Sequence, residues 1–189
     1  IAPDAMAAAW PIAGMAELAP AYDRYNRLKA AARKDESQRP AVDAEEANQR
    51  TVTRMAARST LARALDSRDP LRERLTEFWF DHFTVVAAAP RDGARPAAMV
   101  EDAIRSHLTG DFTTLLTEVA LHPAMLRLLS DVIRTAKARG KPVAVCGEMA
   151  GDAALTPLLL ALGLEEFSLH PGTLLEVRRA IRAQDLSAL

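Results

Sequence analysis

The feature that most constrains this chain is a change of texture after about His122. Before it, the chain reads as helix throughout; after it, helix and strand alternate. An amphipathic helix is expected over 124–139, carrying Leu128, Leu129, Val132, Ile133 and Ala136 on one stripe, and Gly140 stops it. The run Pro142-Val143-Ala144-Val145-Cys146 then fits a short, fully buried parallel strand. Asp152 is placed to cap a helix carrying Leu155, Leu158, Leu159 and Leu162, which ends at Gly163. Residues 166–170 form a second strand candidate, and Thr173 with Glu176 makes a capping box for a last helix. Strands joined through a helix must run parallel, with a right-handed crossover. The expected fold class is therefore mixed α and α/β, a mainly helical N-terminal region followed by a βαβα fragment with two parallel strands. The boundaries are 1–128 and 129–189.

In the helical part, Val52, Met55, Ala56, Leu61 and Leu65 predict an inward stripe on a helix over 47–65. Asp35 to Asp43 reads as an exposed turn. Asp69-Pro70 supplies an N-cap and a first-turn proline for a helix through His82, with Leu75, Phe78, Trp79, His82 and Phe83 on one face. Residues 87–96, with two prolines and a glycine, read as a loop. Helices are expected over 97–108 and 112–121, the second turning Phe112, Leu115, Leu116, Val119 and Ala120 inward.

Bulk chemistry excludes several functions. The 24 Lys and Arg balance 25 Asp and Glu, which argues against a nucleic-acid groove or an anionic-membrane surface. No apolar run reaches the ~18 residues of a membrane helix. The first residue is Ile1 and no signal peptide is seen, so the chain is expected to begin mid-gene and to reside in the cytoplasm. A single cysteine excludes an intrachain disulfide and a zinc–cysteine cluster.

That cysteine is the leading candidate for chemistry. Cys146 closes a parallel strand, the end at which α/β barrels place catalytic groups. Gly147 and Gly151 permit close backbone approach to a ligand, and a helix starting near Asp152 would turn its positive end to an anion. The alternative is an inert buried thiol. His82, His107 and His122 show no metal-ligand spacing; they are expected to pack beside Trp79 or to bond helix ends, and no metal site is expected. Glu101 and Arg105 read as an ordinary helix-face ion pair at i,i+4 spacing.

Two resemblances extend this reading. Lys141-Pro142-Val143-Ala144-Val145-Cys146-Gly147-Glu148-Met149-Ala150-Gly151-Asp152, Thr156-Pro157 through Leu164, and Glu166-Phe167-Ser168-Leu169-His170-Pro171 resemble the closing part of a phosphoenolpyruvate-utilising TIM-type barrel, that of Enzyme I of the bacterial sugar phosphotransferase system. The resemblance covers residues 130–182. It implies a phosphotransferase in which Cys146 is the general acid that protonates the methylene carbon of the enolate, with Gly147 near the substrate. It also implies phosphoenolpyruvate as ligand and magnesium for the full enzyme. The phosphoacceptor histidine domain, the phosphate-clamping arginines and the magnesium carboxylates match nothing in this sequence. The fragment is therefore expected to hold no cofactor and to be inactive alone.

Phe78-Trp79-Phe80-Asp81-His82-Phe83-Thr84-Val85, Glu101 through Phe112, and Leu121-His122-Pro123-Ala124-Met125-Leu126 resemble a bacterial family of unknown function, DUF1800, over about 18–128. Asp81 stands where that family usually has Asn. The two resemblances meet between His122 and Leu129, as expected of a natural fusion, a mis-joined gene or a deliberate join. An unpaired strand pair also suggests self-association through a sheet edge. A non-catalytic helical protein with a structural or interaction role is the alternative function.

Overall fold

The computed structural model describes residues 4–87 and 89–185. It groups them into two compact units, the first ending at Leu128 and the second beginning at Leu129. The first is helical: α1 (Ala5–Ala9), α2 (Met15–Ala32), α3 (Arg39–Asp66), α4 (Pro70–His82), α5 (Ala94–Met99), a π-helical turn over Val100–Arg105, and α6 (Phe112–Leu121). Helix α7 (Pro123–Ala138) spans the boundary. The second unit adds β1 (Ala144–Cys146), α8 (Glu148–Gly151), α9 (Thr156–Ala161), β2 (Glu166–Ser168) and α10 (Leu174–Arg182). The molecule is thus mainly helical with a small α/β part.

Local chemistry explains the helix ends. Asp69 accepts the Arg72 amide at 3.1 Å and Pro70 supplies the first helical φ of α4. Asp111 caps α6 through the Thr114 amide at 2.9 Å. Gly140 takes φ +61° just past α7, and Gly163 takes φ +87° past α9.

The core of the first unit is built where the π-turn meets its neighbours. Met99, Ala103, Ile104, Leu115, Val119 and Ala124 are buried together, with Trp79, Phe80 and Phe83 packed against them. A second cluster joins Leu18 and Tyr22 of α2 to Ala94 and Ala98 of α5.

Several expected faces differ. Met55, Leu61 and Leu65 are 64%, 61% and 75% exposed. The buried positions of α3 are Val42, Glu45, Gln49, Ala56, Ser59 and Arg63, a largely polar stripe. Polar partners compensate it: Glu45 accepts from Arg24 at 2.6 Å, the Gln49 amide donates to Ala21 O, and Ser59 donates to Pro11 O. On α4, Phe78 and His82 point outward while Thr76 is buried and Trp79 is partly buried. Phe112 and Leu116 of α6 are also exposed, as is Val132 of α7. The expected turn at 35–43 is a short 3-10 turn, Glu36–Gln38, running straight into α3, because Pro40 is tolerated in the first helical turn. The expected loop at 87–96 already contains a 3-10 turn and the start of α5, and Ala88 lies outside the described residues.

In the second unit, β1 and β2 pair in parallel, Ala144 opposite Glu166, Val145 opposite Phe167 and Cys146 opposite Ser168. Both strands are shorter than expected, three residues each, and neither is fully buried. Val145 and Phe167 turn to a core of Ile133, Leu159 and Leu164, while the residues on either side face out. A strand reads as buried on both faces only when both are covered, and here one face is.

Candidate functional site

Cys146 lies at the C-terminal end of β1 and is exposed, not buried. Its register partner is Ser168, at the same end of β2. The chain then turns through Gly147 at φ +77°, ψ −154°, a region open essentially to glycine alone. The Gly147 amide donates to Ser168 O at 3.2 Å, which extends the ladder past Cys146. A Cβ placed on Gly147 would meet nothing within 4 Å, so the space beside this backbone is open. These local facts make an exposed thiol beside an accessible stretch of backbone at one strand end.

Other parts of the expected site change. The helix expected to start near Asp152 begins only at Thr156, as the six-residue α9, and an unexpected four-residue helix, α8, precedes Asp152. Asp152 ends α8, and its carboxylate accepts the Ala154 amide at 2.8 Å. Helices this short sum few peptide dipoles, so the anion-attracting helix end does not form. Gly151 serves packing instead of ligand approach, since its Cβ would meet Thr173 Oγ1 at 3.1 Å. The Thr173–Glu176 capping box is absent. Thr173 donates to His170 O at 3.0 Å, and His170 Nδ1 accepts the Gly172 amide, closing a 3-10 turn before α10.

Magnesium can be tested against the residues present. Among the described residues no group of three His, Cys, Asp or Glu side chains could hold a metal ion. The residues present do not fit the ion that the Enzyme I resemblance implies.

The first unit brings its charged residues together in ways that spacing does not reveal. The i,i+4 pair of Arg105 with Glu101 is present, but Arg105 is buried and has closer partners. It is 5% exposed and grips Glu73 through two bonds, at 2.7 and 3.0 Å, and Asp4 at 2.6 and 3.0 Å; Glu101 stands farther off at 3.8 Å. Burial opposes its charge, but the two carboxylates outweigh burial and raise its pKa. Burial likewise works against the Asp4 carboxylate; bonds from Arg105 and the Ala7 amide overcome it and hold Asp4 below the ordinary range. Arg63, also buried, bonds Trp10 O at 2.6 and 2.8 Å and pairs with Glu101. Glu73 and Asp4 lie 32 and 101 residues from Arg105 in the chain, so only the fold shows the pairing.

The three histidines do separate jobs. His82 packs edge-on against Trp79 with ring centres 5.7 Å apart. His107 Nδ1 donates to Ala103 O at 2.8 Å. His122 starts α7: its Nδ1 accepts the Ala124 amide at 3.1 Å, and its Nε2 donates to Asp102 at 3.3 Å. Asp102 also accepts the Met15 amide at 2.7 Å, capping α2 from the π-turn. Gly14, which precedes that amide, is required by this approach, since its Cβ would lie 2.3 Å from Asp102 Oδ1.

Comparison with known proteins finds two families, one towards each end of the chain. A family model described as PEP-utilising enzyme, PEP-binding domain, matches residues 111–186. Among similar proteins, the phosphoenolpyruvate-protein phosphotransferase of Cupriavidus necator is 59% identical over 61 residues, 32% of this chain and 10% of that protein. Those of Staphylococcus carnosus and Priestia megaterium are 48% identical over 68 residues and 51% over 61, covering 36% and 32% of this chain and 12% and 11% of theirs. The chain thus spans about a tenth of the length of these curated relatives. No solved structure matches. A second family model, described as a protein of unknown function (DUF1800), matches residues 4–138, so the two matches share 111–138, a wider overlap than the sequence words alone suggest. Both resemblances hold, and on the match that spans most of its length the chain belongs to the DUF1800 family.

Proposed function

We propose that residues 129–189 are a phosphoenolpyruvate-utilising barrel fragment in which Cys146 keeps the role of general acid but lacks, in this chain, the groups that bring substrate to it. The observation that carries this reading is the exposed Cys146 thiol at the C-terminal end of a parallel strand, next to the open Gly147 backbone. The step assigned to it is a proton transfer. Once the phosphoryl group has left phosphoenolpyruvate for an acceptor histidine, the enolate's methylene carbon takes the Sγ proton. The enolate electron pair forms the new C–H bond, the carbonyl re-forms, and pyruvate and a thiolate result. Gly147 would let the substrate lie against the backbone. No step is assigned to magnesium.

Positioning is what the fragment lacks. Oriented binding can account for about 7–11 kcal/mol of a barrier, and an acid without a clamped substrate forgoes it. The chain alone is expected to release no pyruvate from phosphoenolpyruvate above the no-enzyme control, by lactate dehydrogenase coupling. Calorimetry with millimolar phosphoenolpyruvate and magnesium is expected to show no saturable heat. Turnover that Cys146→Ala abolishes would contradict the proposed inactivity.

A second reading rests on a separate observation. Among the described residues each strand has one neighbour, leaving an outer edge on β1 and on β2. Such edges can pair with another chain, so the fragment would then serve a structural role through self-association. Light scattering across a hundredfold concentration range tests it: a constant monomer mass excludes this reading.

A further inference from the structure

The helical unit holds a cavity of about 290 Å³ between α3, α4 and the π-turn. That volume is just below the range of about 300–1,000 Å³ for small-molecule pockets. Its apolar lining includes Ile12, Phe80 and Val100. Its charged lining falls into two classes. Arg63 pairs with Glu101 and Arg105 with Glu73; both arginines are buried, both glutamates are partly buried, and each arginine is neutralised by its carboxylate. Glu77 and Asp81 also line the cavity, are exposed, and have no ion-pair partner among the described residues. Glu77, Phe80 and Asp81 share one face of α4 at i, i+3 and i+4 spacing, so two unneutralised carboxylates and an aromatic ring line the same wall. The π-turn that forms another wall is a helical irregularity that recurs at functional sites.

These features select one ligand class. The arginines are already satisfied, so an anion would have to displace a partly buried carboxylate and leave it unpaired. A neutral apolar molecule would fill the cavity but leave the rim charges unused. A cation with an apolar body satisfies all the lining groups at once: its body packs among Ile12, Phe80 and Val100, and its charge meets Glu77 and Asp81 beside the Phe80 ring. A metal ion would find no built cage, since no group of three ligating side chains is present among the described residues. We propose that this cavity binds a small organic cation, a protonated amine or amidine on an apolar body. The site is independent of Cys146 and of the phosphoenolpyruvate reading.

The test titrates the whole chain with benzylamine hydrochloride, benzyl alcohol and sodium benzoate at pH 7.0, following amide chemical shifts by NMR. Saturable shifts with benzylamine are expected at amides of α4 and the π-turn, with binding by the alcohol and benzoate weaker by about tenfold or more. A Glu77→Gln, Asp81→Asn double variant, altered only at exposed positions, is expected to weaken benzylamine by about tenfold and to leave benzyl alcohol unchanged. Its circular dichroism should match the parent. Benzylamine shifts outside α4 and the π-turn, equal binding of benzoate, an unchanged double variant, or no saturable binding by benzylamine would each overturn the proposal.

Discussion

At the scale of single residues, the fold depends on a few side chains whose neighbours come from distant sequence. Arg105 holds two carboxylates, Asp4 and Glu73, in a poorly hydrated site. Replacing it with Met strands both, and the expected loss is about 3 kcal/mol of unfolding free energy by urea denaturation. A loss under 1 kcal/mol would show that water reaches the pair. His122 carries a pH dependence. Burial pushes its pKa below the ordinary 6.5, against the bond from Asp102 and the nearby Glu118. Above pH 6.5 the ring is neutral whether folded or unfolded, and its contribution is complete. As pH falls below 6.5 towards the folded pKa, the unfolded chain takes up the proton first and stability is lost. Protonation also puts a hydrogen on Nδ1, which can then no longer accept the Ala124 amide. The wild type is expected to lose more stability between pH 7.5 and 5.5 than His122→Asn, whose amide oxygen can keep the cap. Parallel pH profiles would refute this. None of these pairings was legible in the sequence, where Arg105 reads as the partner of Glu101. Local spacing shows what is four residues away and nothing of what lies a hundred away.

At the scale of elements, hydrophobic period was a good guide to where helices lie and a weaker one to which face they bury. Helix α6 occupies the expected 112–121, and α4 and α7 begin and end within a residue of expectation. Helix α3 shows the limit. Of its expected stripe, Met55, Leu61 and Leu65 face outward while Ala56 is buried and Val52 partly so, and the rest of the inner face is Val42, Glu45, Gln49, Ser59 and Arg63. Polar groups can be buried once partners satisfy them, and pattern counting does not see the partners. Leu65→Lys is therefore expected to change stability by less than about 0.5 kcal/mol, whereas Ile104→Ala, emptying a fully buried position, should cost about 2–5 kcal/mol. Comparable losses in the two variants, measured by thermal or urea unfolding, would refute the assignment of faces. The parallel strand pair was also legible, because two apolar runs joined through a helix admit few other arrangements. Its one-sided burial was not, because a run such as Val-Ala-Val says nothing about how many faces are covered. The turn after β1 gives a further prediction. Gly147→Ala puts a Cβ into open space, so its whole cost, about 1–3 kcal/mol, is backbone strain at φ +77°.

At the scale of the whole molecule, two histories meet in one chain. The DUF1800 match ends inside the stretch where the phosphoenolpyruvate-binding match has already begun, and α7 lies entirely in that shared stretch. The thiol at position 146 was legible because its neighbours spell a long, specific motif. The cavity of the helical unit was not, because its walls come from segments far apart in the chain. No helix among the described residues is long and apolar enough to cross a membrane. The central claim is that Cys146 remains a competent acid in a fragment that lacks positioning. It is tested most directly by moving residues 130–182 into the Cupriavidus necator phosphotransferase in place of the matching segment, and measuring phosphoenolpyruvate-dependent pyruvate release. The graft is expected to be active, and the same graft with Cys146→Ala to be slower by about 10²–10⁴-fold with phosphoenolpyruvate binding unchanged. A Cys146→Ala graft as fast as its parent, or a folded graft that binds phosphoenolpyruvate without releasing pyruvate, would contradict it.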